Sequence, residues 1–166
     1  KAIMNYIFKT KNSFNKNQLV KDELKSMGIY SPSLKDWAKK NEVKVVTSND
    51  INSRKSIESI KKINPDVTAY TGGGIIKKDV IKACNNKILN AHAGRMPEIR
   101  GMNALEWSIL LDIPCGVTIH FIDQGIDTGE ILEWQQLKIN KEDNLNQLRQ
   151  KIILLGCKAL SKNISK

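Results

Sequence analysis

Between residues 43 and 139 the chain alternates short β-branched runs with amphipathic ones, and that alternation limits the folds open to it. Val43-Lys44-Val45-Val46 is a strand signal followed by the turn residues Ser48-Asn49-Asp50. Residues 53–63 place Ile57, Ile60 and Ile63 on one helical face, and Asn64-Pro65 stops the run. Val67 to Thr71 predicts a second strand running into Gly72-Gly73-Gly74. Residues 75–84 then predict a helix, and Lys87 to Ala91 a third strand. Helical spacing returns at 103–111, GVTIHFI (116–122) is a strong strand signal, and 129–139 alternates loosely as another strand. A helix is predicted over 144–165. Asn144 and Gln147 have capping-box spacing, and Leu145, Leu148, Ile152, Leu155 and Ala159 follow at helical intervals. Strands alternating with helices predict an α/β fold with a largely parallel sheet. The 166 residues fit one domain, 1–166. Before residue 43, residues 1–15 show no period, 16–28 predict a short helix ending at Gly28, and Ser33 is placed to cap a helix over 34–41.

Composition narrows the partners. The net charge is +10, but the lysines are spread along the chain and aromatic residues are 5%, so a solvated lysine surface is expected rather than a nucleic-acid interface. Cys84, Cys115 and Cys157 are scattered and odd in number. That argues against a disulfide framework and for a reducing, cytoplasmic setting. No Cys-x-x-Cys pair or histidine-rich cluster suggests a metal site. There is no window of about 18 apolar residues, so no membrane span is expected, and the first residues make a poor signal peptide.

Ligands of open α/β sheets bind outside the carboxyl ends of the strands. Three features are expected to meet there: Gly72-Gly73-Gly74, then Asn90-Ala91-His92, then the loop Asp123 to Gly129. Asn90 and His92 are two apart on an extended segment, so they share a face. An amide donor suits a developing oxyanion, and an imidazole suits proton transfer at neutral pH. Asp127, between Gly125 and Gly129, is placed to orient His92 and favour its charged form. Together they suit attack by a nitrogen on a carbonyl carbon. Each piece also has a structural reading: Asn-x-His as an ordinary strand end, Asp-x-Gly as a turn, and the three glycines as a weak phosphate nest. The other histidine, His120, lies inside GVTIHFI and reads as structural or as support behind the catalytic residues.

The run NAHAGRMPEIRG (90–101), followed by CGVTIHFIDQGIDTGEIL (115–132), resembles the catalytic core of the folate-dependent formyltransferases. Those enzymes act on glycinamide ribonucleotide, methionyl-tRNA or nucleotide sugars. The resemblance runs from about 36 to 162. It implies a Rossmann-like sheet, 10-formyltetrahydrofolate as formyl donor, and a primary amine as acceptor. It implies Asn90, His92 and Asp127 as the catalytic trio, with His92 or Asp127 as the working base. The pterin would be held by Gly74, Ile75 and Ile76 and by Ile122, Asp123 and Gln124.

The family opens with a strand and a glycine-rich turn, and nothing of that kind is legible before residue 43, so its N-terminal strand is expected to be missing. Ala93 follows the histidine where many relatives have proline, and Arg95 replaces a common leucine. The last element expected is the helix at 144–165, and the carboxyl-terminal domain of the tRNA-type enzymes is expected to be absent. The expected acceptor is therefore a small amine such as an amino-sugar nucleotide, with methionyl-tRNA and glycinamide ribonucleotide as alternatives. Two other readings are a hydrolase that releases formate from the same folate, and a basic α/β domain that binds a polyanion without catalysis.

Overall fold

A computed structural model describes residues 6–9, 21–22, 25–26, 34–72 and 74–165. In order, its elements are β1 (Tyr6–Lys9), α1 (Leu34–Lys40), β2 (Lys44–Thr47), α2 (Arg54–Ile63) and β3 (Thr68–Tyr70). Then come α3 (Lys78–Ala83), β4 (Ile88–His92), α4 (Ala104–Leu110), β5 (Gly116–Phe121), β6 (Ile131–Gln136) and α5 (Leu145–Ile164). Of the helix expected over 16–28, residues 21–22 and 25–26 are helical and the rest lies outside the described residues, as does Gly73.

Local chemistry sets the element ends. Ser53 caps α2 by accepting from the Ser56 N–H, and Asn64 closes it in the left-handed region with its N–H on the Ile60 carbonyl. The expected capping box opens α5: Asn144 accepts from the Gln147 N–H, and Gln147 reaches back to the Asn144 N–H.

One expectation is corrected. A strand does precede residue 43: β1 pairs in parallel with β2, Tyr6 opposite Lys44 and Lys9 opposite Thr47. The expected α/β sheet is present, and β5 is the one strand in it that runs against the others. β3 and β4 are parallel, but β5 is antiparallel to both β4 and β6, in the order β3-β4-β5-β6. A helix between two strands does not by itself make them parallel. The connection through α4 leaves β4 at His92 and enters β5 at the same end of the sheet, where His92 pairs with Thr118.

Successive residues of β4 serve opposite layers. Leu89 and Ala91 belong with Val117, Ile119 and the buried residues of α5, Leu148, Ile152, Ala159 and Leu160. A Cβ on Gly156 would sit 3.3 Å from the Ala91 Cβ, so the glycine lets α5 lie close to the sheet. Ile88, facing the other way, packs with Ile60 of α2 and with Ile76, Val80 and Ile81 at and within α3. Beyond Ile88 on that second face the strand carries Asn90 and His92, where the apolar cluster ends. No helix of the described residues is long and apolar enough to cross a membrane.

Candidate active site

The β4–β5 register assembles one polar face from two strands. Asn90 lies opposite His120, and His92 opposite Thr118. Their neighbours Leu89, Ala91, Val117 and Ile119 point into the α5 core. The alternation within GVTIHFI therefore places Thr118 and His120 beside Asn90 and His92.

His92 is buried, and both ring nitrogens are engaged. Nε2 lies 3.0 Å from the Ile99 carbonyl, and Nδ1 lies 3.2 Å from Asp127 Oδ2. A carbonyl only accepts, so the Ile99 contact puts a proton on Nε2 and leaves Nδ1 facing the carboxylate. Burial pulls the His92 pKa below the ordinary histidine value, against the Asp127 charge and the Ile99 carbonyl, which both raise it. Asp127 thus acts in the expected direction, favouring charged His92, but desolvation is the larger effect.

Burial alone would raise Asp127. The adjoining His120 imidazole, the hydrogen bond from the Gly101 N–H and the proximity of His92 outweigh it and hold the carboxyl below the usual aspartate range. Gly101 N donates to Asp127 Oδ2 at 2.8 Å. Asp127 sits at φ 49°, a left-handed conformation that aspartate tolerates better than most residues. The loop closes because Gly129 is bare: a Cβ there would stand 1.9 Å from the Phe121 carbonyl oxygen.

The geometry departs from the expected meeting outside the carboxyl ends. Because β5 runs antiparallel to β4, its carboxyl end, Phe121, pairs with Leu89 near the start of β4. The loop that follows folds back across the face, and Asp127 contacts both imidazoles, with His120 Nε2 3.5 Å from Oδ1. His120, expected to be structural or to support the site from behind, lies directly against Asn90 and Asp127. Its Nδ1 is 2.8 Å from the Phe121 carbonyl and so carries a proton. In the neutral ring Nε2 is then an acceptor, 3.1 Å from Asn90 Nδ2. One amide hydrogen of Asn90 is engaged there.

The six residues expected to hold a pterin divide. Ile76 is buried in the cluster against which Ile122 packs, so each loop is tied by one residue to the same apolar cluster. Ile75 is 73% exposed. Gly74 and Gln124 are exposed as well. Asp123 is spent on its own loop, accepting from the Gly125 N–H at 3.0 Å and the Thr128 hydroxyl at 2.6 Å. Sequence reasoning missed the Ile99 carbonyl, the Gly101 N–H and Thr118. The Thr118 hydroxyl donates to the Gly94 carbonyl at 2.7 Å and accepts from the Met96 N–H at 3.2 Å, fixing the loop after His92. The Thr-x-His spacing in β5, matching Asn-x-His in β4, was the available signal.

Against known proteins, the sequence matches the formyl transferase family over residues 10–164. The chain belongs to that family. This formyl transferase chain is 34% identical over 161 residues to the methionyl-tRNA formyltransferase of Finegoldia magna, covering 92% of this chain and 51% of that protein. It is 37% identical over 153 residues to the methionyl-tRNA formyltransferase of Prochlorococcus marinus (strain MIT 9515), covering 87% and 46%. The chain spans about half the length of these curated relatives. The phosphoribosylglycinamide formyltransferase of Bacillus halodurans shares the fold at TM-score 0.69 and 24% identity, over 97% of this chain and 95% of that one. A formyltransferase of Anoxybacillus kamchatkensis, solved in complex with tetrahydrofolate and UDP-4,6-dideoxy-4-formamido-L-AltNAc, matches at TM-score 0.63 and 25% identity, over 95% and 72%. Both sequence relatives are named for a tRNA substrate, which corrects the expectation that a nucleic-acid partner is unlikely. Lysines scattered in sequence can still gather in space, and the end of this chain carries no weight when it spans half of its relatives.

Proposed function

We propose that this chain transfers a formyl group from 10-formyltetrahydrofolate to a primary amine, with Asn90, His92 and Asp127 at the reaction centre. The observation that carries the reading is the contact of His92 Nδ1 with Asp127 Oδ2, beside Asn90 on the same strand face, in a member of the formyl transferase family.

The amine nitrogen bonds to the formyl carbon, and the carbonyl oxygen becomes an oxyanion. Asn90 donates to that oxygen with the amide hydrogen not engaged by His120. The attacking nitrogen must then lose a proton. Asp127 is the more exposed of the pair, 15% against 7% for the His92 side chain, and is ionised at neutral pH. It takes the proton and shares it with His92 Nδ1, so no isolated charge is buried. The same proton goes to the folate nitrogen as the carbon–nitrogen bond breaks, leaving a formamide and tetrahydrofolate. The loops at 74–76 and 122–124, each tied to one apolar cluster through Ile76 or Ile122, support the pterin with apolar walls and backbone groups.

The named sequence relatives favour the amine of methionyl-tRNA as the acceptor, and a net charge of +10 suits a polyanion. An amino-sugar nucleotide is the second reading, favoured by the Anoxybacillus likeness across 95% of this chain. The test offers the chain 10-formyltetrahydrofolate with methionyl-tRNA, amino-sugar nucleotides and glycinamide ribonucleotide, and reads products by mass spectrometry. A formylated product that disappears in His92→Ala and Asp127→Ala is the expected result. Formate without a formylated amine would mean hydrolysis, and undiminished turnover in both variants would place the chemistry elsewhere.

A further inference from the structure

The loop at 74–77 is held from outside itself. Asn52 Nδ2 donates to the Ile75 carbonyl at 2.9 Å, and Asn52 Oδ1 accepts from the Lys77 N–H at 2.8 Å. One planar amide thus engages a backbone acceptor and a backbone donor two residues apart, as a neighbouring strand would. On the other side, the Tyr70 hydroxyl donates to the Gly74 carbonyl. Lys77 is also the residue that opens α3, and no side chain of its own caps that helix.

Asn52 is itself presented on a braced turn. The Asp50 carbonyl accepts from the Ser53 N–H at 3.1 Å, the Ser48 hydroxyl at 2.8 Å and the Ser56 hydroxyl at 2.8 Å. The Asp50 carboxylate accepts from the Asn52 N–H at 2.9 Å. Ser56 is 2% exposed and belongs to α2. The amide of Asn52 is therefore anchored to a buried point of the fold. Ile75, whose carbonyl it grips, is largely exposed to solvent. An isoleucine exposed to that degree, on a backbone fixed at Gly74, Ile75 and Lys77, is a preformed wall rather than a flexible cover.

We infer that Asn52 is a positioning residue for the folate donor: it sets the backbone of the 74–77 loop before ligand arrives, and so governs donor affinity and not the chemical step. The inference rests on the assignment of Gly74, Ile75 and Ile76 to the pterin. Asn52 itself touches no reacting atom. Preorganisation of this kind lowers the ordering cost of binding.

The experiment uses the full chain and 5-formyltetrahydrofolate, a stable pterin ligand, titrated by calorimetry, with amide hydrogen exchange read at Lys77. Asn52→Ala is expected to speed exchange at Lys77, to weaken the ligand by about tenfold, and to raise the KM for 10-formyltetrahydrofolate while kcat stays. Asn52→Asp keeps the acceptor for Lys77 and lacks the donor for Ile75. It should leave Lys77 slow and show a smaller loss of affinity, which a merely structural role would not produce. Ile75→Asp separates the two claims. If Ile75→Asp abolishes binding while Asn52→Ala frees Lys77 at full affinity, the positioning role is wrong and the pterin assignment stands. If Ile75→Asp leaves binding unchanged, the assignment is wrong and the inference falls with it. If Lys77 exchange is the same in Asn52→Ala and the parent chain, the amide does not hold the loop and the inference is overturned directly.

Discussion

Replacing Asp127 by asparagine removes one charge and almost no volume, at the point where both imidazoles meet. The new side chain still offers an oxygen to the Gly101 N–H, now bonded at 2.8 Å, so the loop keeps its closure. What is lost is the partner for a proton on His92. Unit charges 3.2 Å apart attract by roughly 5 kcal/mol at an effective dielectric of about 20. Residual solvent and the dipole of the new amide take back part of this, which leaves on the order of 3 kcal/mol, or about a hundredfold in rate. That lies at the lower end of the 10²–10⁴-fold typical of positioned acid–base groups. The assay is kcat at saturating donor and acceptor, by quench and mass spectrometry, beside thermal unfolding. The variant should keep its KM values and lose about two orders of magnitude in kcat. The pH behaviour has a sign as well. Asp127 is depressed in the folded state, so its stabilisation is complete above the ordinary aspartate pKa of about 3.9 and is lost as pH falls through the folded value. The difference in Tm between parent and variant should therefore be largest near neutrality and shrink with acid. Burial already lowers His92 and the Asp127 charge opposes that, so the variant's acid limb of activity should move to lower pH. A folded Asp127→Asn chain with kcat within about threefold of the parent, less than about 1 kcal/mol, would refute the shared-proton mechanism.

Gly94→Ala should disturb His92 from the other side. Its Cβ would stand 2.7 Å from His92 Nε2, 2.8 Å from the Ala104 Cβ and 3.1 Å from Ile99 Cγ2. Overpacking of this kind costs about 1–3 kcal/mol; unfolding should report it, and kcat should fall more than donor KM rises. Far from the site, the Lys162 ammonium, with Asn163 and Gln135, draws the Glu133 carboxyl down to about 2 and ties α5 to β6. Glu133→Gln should lower Tm at neutral pH, and the gap should close as pH falls from about 4.3, the ordinary glutamate value, towards the depressed one. A gap that stays constant down to pH 2 would show that the charge contributes nothing.

The sequence by itself determined the elements from residue 43 onward and the pairing of Asn90 with His92 on one face, because both follow from local periodicity. It also marked Asp127, since glycines on either side of an aspartate announce a loop that can close tightly. Strand β1 was not legible: four residues, Tyr6–Lys9, cannot show a period, and they become a strand only by pairing with β2. Strand direction was not legible either, because β4 and β5 are joined through a helix whether they run parallel or antiparallel. That direction decides the site. It carries the loop after β5 back across the face, sets His120 against Asn90, and brings a backbone carbonyl, Ile99, onto His92 Nε2. Of the six pterin residues expected, Ile76 sits in the core and Asp123 closes its own loop. Residue type and spacing name the groups that could do chemistry, but burial and hydrogen-bond partners come from residues distant in the chain. The protonation of His92 and Asp127 is set by those neighbours, and only the tertiary structure supplies them.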